Sequence, residues 1–120
     1  MDLGDFVDYC SIKPGVSDSF PFDEHVLVFK VMNKMFALAN ANEFQSINLK
    51  CDPERAIELR DRYPETVLPG YHMSKIHWNT VMVNKELKDT EVYTLIDHSY
   101  DLIVQSLSKK LKEDLSKLSG

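Results

Sequence analysis

The amino-acid sequence predicts an α+β domain in which an antiparallel sheet carries its helices on one face. Three observations lead there. Short segments rich in β-branched and aromatic residues recur between residues 26 and 83, proline and glycine punctuate them, and helical apolar spacing flanks them on both sides.

Asp5 to Ser11 reads as a short helix with Phe6 and Tyr9 or Cys10 on one side, closed by Pro14-Gly15. Phe20-Pro21-Phe22 follows as an extended or edge segment. VLVFKV, Val26 to Val31, is too short for a helix, and with MFALA, Met35 to Ala39, it makes a hairpin that turns near Asn33-Lys34. SINLK, Ser46 to Lys50, alternates as a third strand. Asp52-Pro53 starts a second helix with an N-cap acid and a proline in the first turn, and Ala56, Leu59 and Tyr63 share its apolar side up to Pro64. Pro69-Gly70 turns the chain into HWNTVMV, whose Trp78 to Val83 section joins the sheet, and Asn84-Lys85 turns it again. From Thr90 the pattern is helical to the end. Leu95 or Ile96, Ile103, Leu107, Leu111, Leu115 and Leu118 form a long apolar stripe, and the lysine-rich segment 109 to 120 is a solvated, fraying helix end with cations near its negative pole.

At 120 residues the chain has the length of a single domain, 1 to 120, with one core. MDLGDFVDYC offers no basic leader, and no apolar stretch reaches the length of a membrane span, so a cytoplasmic monomer without membrane contact is expected. Cys10 and Cys51 lack the spacing of a metal or redox pair and are expected reduced and buried. The net charge is −5, unevenly spread: residues 1 to 25 carry −5, residues 26 to 85 carry +2, and the remainder −2. A global basic field for nucleic acid is absent, so any such contact must be local.

Period-two alternation sorts the sheet faces. Leu27, Phe29 and Val31 oppose Val28 and Lys30; Ile47 and Leu49 oppose Ser46, Asn48 and Lys50; Trp78, Thr80 and Met82 oppose His77, Asn79 and Val81. Lysines and an asparagine on the face turned from the helices suit an anionic or nucleic-acid partner, although an antiparallel sheet also leaves one face wet for no functional reason. The stretch YHMSKIHW adds Tyr71, His72, Lys75 and His77, with rings able to stack and cations able to meet phosphate. As metal ligands His72 and His77 have poor spacing, since a strand sends them to opposite sides. His98 stands beside Asp97 and near Asp101, but no nucleophile elbow or glycine-rich loop accompanies it, so no catalytic residue, metal or cofactor is expected. A histidine satisfied by a structural hydrogen bond is the simpler reading of His98, and core packing is the simpler reading of Trp78.

The blocks PGVSDSFPF, VFKV, KMFAL, NLKCDPE, PGYHMSKIHWNTV and LIDHSYDLI, in this order from Pro14 to Ile103, closely resemble the MmcQ/YjbR family of small bacterial proteins. The resemblance implies a CyaY-like α+β fold and a DNA-binding role, proposed for the family, through a double wing of β-hairpins. It implies no enzymatic activity and no cofactor. Two departures make the wing bulkier and less cationic here: Met32-Asn33 replace glycines often found before KMFAL, and Ile76 stands where a basic residue commonly precedes HW. The function expected is non-enzymatic binding, with weak, sequence-independent contact to DNA through Lys30, Lys34, Lys50, His72, Lys75, His77 and Asn79. The alternative is a module for a protein or small anionic ligand.

Overall fold

The computed structural model describes residues 1–71 and 73–119. The chain runs α1 (Leu3–Ser11), β1 (Val16–Ser19), β2 (Val26–Val31), β3 (Lys34–Asn40), β4 (Ser46–Lys50), α2 (Pro53–Arg62), β5 (Val67–Pro69), β6 (Trp78–Met82), α3 (Asp89–Ser106) and α4 (Lys109–Ser119). The strands form one sheet in the order β1-β2-β3-β4-β6-β5, and every neighbouring pair is antiparallel. The expected α+β architecture and all four expected strands are present. Two edge strands, β1 and β5, are additional: VSDS and VLP are too short to show an alternation, and each is held by backbone pairing and by one valine, Val16 or Val67, packed on the main core.

Local chemistry sets the boundaries. Asp2 caps α1 by accepting from the Asp5 N–H at 2.8 Å while Asp5 accepts from the Asp2 N–H at 3.0 Å, which starts the helix at Leu3, two residues before the apolar spacing does. Asp52 accepts from the Arg55 N–H at 3.2 Å and Pro53 opens α2, as the sequence predicts. The β2–β3 turn is one residue earlier than expected, on Met32 (φ 47°) and Asn33 (φ 71°), because a two-residue hairpin needs left-handed backbone at both positions. Gly15, at φ 73°, accepts from the Met32 N–H at 3.1 Å, and a Cβ on it would lie 2.6 Å from Leu115 Cδ1. Only glycine fits there.

The C-terminal apolar stripe is not one helix. Leu107 adopts extended backbone (ψ 154°), and Ser108 restarts the helix by accepting from the N–H groups of Leu111 and Lys112. The break swings Leu115 onto Gly15, so the segment expected to fray is a docked helix through Ser119; Gly120 is outside the described residues.

The main core lies between the helices and one sheet face. Phe6, Phe29, Phe36, Ile47, Leu49, Val81, Val92 and Ile96 are at its centre, and Phe6 meets Phe29 edge-on at 5.3 Å. A β-bulge between β2 and β3 makes Phe36 the unpaired residue, so Phe36 and Ala37 both point towards the helices. Ser99 on α3, fully buried, services this irregularity: its hydroxyl donates to the Phe36 carbonyl at 2.6 Å and accepts from the Lys50 N–H at 2.9 Å.

Candidate binding face of the sheet

The face away from the helices is not uniformly wet. Val28, Leu38 and Trp78 form a second, small buried cluster there, flanked by Val26, Met35 and Met73. Trp78 is buried, as expected, but on the helix-free side; its strand partner is Lys50. The reason is Met73, which returns from the segment before β6 to pack against this cluster. Gly70 permits this return, since a Cβ there would approach Trp78 Cβ to 2.8 Å.

Sorting β6 by face therefore corrects one candidate. Asn79, 2% exposed, points under the helices with Val81, and its Oδ1 accepts from Arg60 Nε at 2.7 Å. The same guanidinium donates to the Lys75 carbonyl, so Asn79 and Arg60 tie the 70-to-77 loop to α2 and offer nothing to a ligand on the open face. Asn79 Nδ2 has no partner among the described residues and borders a void of about 10 Å³ lined by Leu49, Cys51, Leu59, Val81 and Leu95, room for about one water.

The remaining candidates spread around one end of the face. Lys30, opposite Met35, and Lys50, opposite Trp78, are half-buried on the face itself. Lys34 is exposed at the hairpin tip, where pairing with Val31 turns it to the helix side. Lys75 and His77 are exposed on the loop, and the His77 carbonyl accepts from the Cys51 N–H at 2.8 Å. His72 lies outside the described residues. Among the described residues none of these lysines makes an ion pair; the pairs formed are Met1 amine with Asp89 and Lys13 with Asp97.

At the other end of the face is a cleft of about 510 Å³ lined by Phe22, Val26, Leu38, Tyr71 and Met73, over a floor that includes Asn40, Ser46, Asn48 and Thr80. A relay fixes its floor: the Tyr71 N–H donates to Thr80 Oγ1 at 3.1 Å, and the Thr80 hydroxyl donates to Asn48 Oδ1 at 2.5 Å. Of these residues the sequence reading singled out only Asn48, as an open-face residue, and Tyr71, as a stacking ring. Phe22 and Leu38 carry no local signal of a site.

Most groups with displaced proton affinities lie on the helix side; Asp23, on the exposed segment before β2, is held below its usual value by the N–H groups of Val26 and His25. Burial pushes Cys10 up to about 12, and burial with the Asp97 hydrogen bond does the same to Tyr9. Burial also raises the Cys51 thiol. Both cysteines are unpaired and buried. His98 is held below the ordinary histidine value, first by burial and then by Arg55, against Asp52 and Asp101. Its Nε2 accepts from the Asp52 N–H at 3.1 Å, which makes it a strut for the start of α2, the structural role expected.

That bond gives a pH prediction. With the folded pKa depressed, the unfolded chain takes up the proton more readily, so the contribution is complete above about pH 6.5. It is lost as pH falls through that value towards the folded pKa. His98→Gln, which can accept the same N–H without titrating, is expected to flatten the slope of urea-unfolding stability between about pH 7 and pH 5. Equal slopes in both proteins would contradict the assignment.

Comparison with known proteins fits this architecture. Residues 12–102 match the family model YjbR. The chain belongs to the YjbR family. Its YjbR relatives include the uncharacterized protein YjbR of Escherichia coli K12, 33% identical over 98% of this chain and 100% of that one. YyaQ of Bacillus subtilis 168 is 37% identical over 63% of each chain. Among solved structures, Deinococcus radiodurans DR2400, a DUF419 domain, superposes with a TM-score of 0.89 at 34% identity, covering 96% of this chain and 88% of that one. A Pseudomonas syringae protein does so with a TM-score of 0.68 at 29% identity, covering 85% and 98%. The fold positioning the open face is thus a YjbR-family fold.

Proposed function

We propose that this YjbR-family chain is a non-enzymatic, cytoplasmic binding protein that acts as a monomer through the helix-free face of its sheet. The observation that carries the reading is the pair Lys30 and Lys50, on that face and without ion-pair partners among the described residues. Lys34 on the hairpin and Lys75 with His77 on the 70-to-77 loop flank them, an arrangement that supports contact with phosphates from two projecting segments. The partner is nucleic acid, held weakly and without strong sequence preference, because the contacts are lysines rather than an arginine-bearing recognition helix and the chain's net charge is −5. The non-enzymatic part of the reading is supported by Cys10, Cys51, Tyr9 and His98, all of which are packed or bonded on the helix side.

Anisotropy of a labelled random duplex, titrated at about 50 and about 200 mM salt, tests it. Affinity should fall steeply with salt, and each of Lys30→Ala and Lys50→Ala should flatten the log–log slope by roughly 0.9 while weakening all sequences alike. No binding by wild type at the lower salt, or an unchanged slope in a Lys50→Ala, Lys75→Ala double variant, would shift the reading to a protein or small anionic ligand on the same face.

A further inference from the structure

The cleft at the opposite end of the open face has a chemistry distinct from that of the lysines. Among the described residues its lining contains no charged side chain. Lys30 and Lys50 are each two residues further along their strands than Val28 and Asn48, roughly 7 Å away, and the Val28, Leu38 and Trp78 cluster with Met35 stands between. An ionised ligand in the cleft would be desolvated without a counter-charge, which is costly.

Two asparagines on the floor direct their carboxamide oxygens at donors. Asn40 Oδ1 accepts from the backbone N–H groups of Asn42 and Glu43, both at 2.9 Å, and those groups can only donate. Asn48 Oδ1 accepts from Thr80, whose own Oγ1 already accepts from Tyr71 N–H. Both carboxamide oxygens are therefore engaged. The Nδ2 donor of Asn48 makes no hydrogen bond among the described residues, and neither does that of Asn40. A sheet floor that offers donors, bordered by the residues Phe22 and Tyr71, 66% and 70% exposed, asks for a flat ligand that supplies acceptors.

We propose that the cleft between the 20-to-25 segment and the 70-to-77 loop binds an uncharged, planar ring compound bearing a carbonyl or ring-nitrogen acceptor, seated on Asn48 and Asn40 beside Phe22 and Tyr71. Its volume of about 510 Å³ falls within the usual range of small-molecule sites. The inference rests on the reading of the open face as the working surface, but not on the lysines, so the two fail separately.

The probe is Nile red, a neutral planar dye with a ring carbonyl whose emission rises and shifts to the blue in apolar surroundings. Saturable binding is expected, insensitive to added salt and to Lys50→Ala, with shifted NMR signals from the Asn48 side-chain NH₂ and the Tyr71 amide. Asn48→Asp keeps an acceptor for Thr80 but removes the donor, and should weaken the dye about tenfold. Phe22→Ala, at an exposed ring whose loss leaves the core intact, should weaken it about fivefold. Absence of saturable binding, or affinity unchanged in both variants with their folded spectra intact, overturns the proposal. A salt-dependent affinity that follows Lys50 would do so as well, and would leave the lysine reading standing.

Discussion

Ile103→Asp is expected to destabilise the protein by about 4 kcal/mol, read as a fall in the urea midpoint at unchanged m-value. Ile103 is 5% exposed on α3 and belongs to the apolar cluster shared by the helices and the sheet. A carboxylate there must be buried without a partner, be protonated, or push α3 off the sheet, and each route is costly. Since protonation is the cheapest escape, the loss should shrink steadily as pH falls from neutrality towards about 4, the ordinary value of Asp in the unfolded chain. A loss under about 1 kcal/mol at neutral pH would mean that α3 does not pack as described.

Ser99→Ala should cost about 3 kcal/mol, although it removes a single oxygen. Alanine fills nearly the same space, so packing is a minor part of the effect. The Phe36 carbonyl and the Lys50 N–H both lose their partner just beyond Ala37 and Leu49, the pair at which the β3–β4 ladder ends. Ser99→Thr keeps the hydroxyl and should recover part of the loss if the extra methyl is accommodated. The urea midpoints of the three proteins check this, and a cost for Ser99→Ala below about 1 kcal/mol would contradict the bridging role.

Ser99 also shows where sequence reading stops. The segment LIDHSYDLI marks a helix and draws the eye to its Asp and His, but nothing local says that its serine meets a bulge some 60 residues away, because the bulge exists only once β2 and β3 pair. Strand β4 was legible because it buries alternate residues, which leaves a period of two in the sequence, whereas β2 and β6, buried on both faces, were legible as short runs rich in β-branched and aromatic residues. For β6 the period was right yet mute about direction: Trp78 and Val81 are both apolar and buried, on opposite faces, so Asn79 was placed with the ligand-facing set when it belongs under α2. The cleft was least legible. Phe22, Leu38, Asn48 and Tyr71 come from four separate stretches that meet because β6 inserts between β4 and β5.

The claim that the helix-free face is the working surface is tested most directly by mapping amide shifts of ¹⁵N-labelled protein during titration with a short DNA duplex at low salt. The account predicts perturbations at Lys30, Lys50 and Lys75 and at the Trp78 indole, with α2 and the outer side of α3 unmoved. Shifts concentrated on Arg55, Arg62 and Thr94, which line the groove between those two helices, would contradict it.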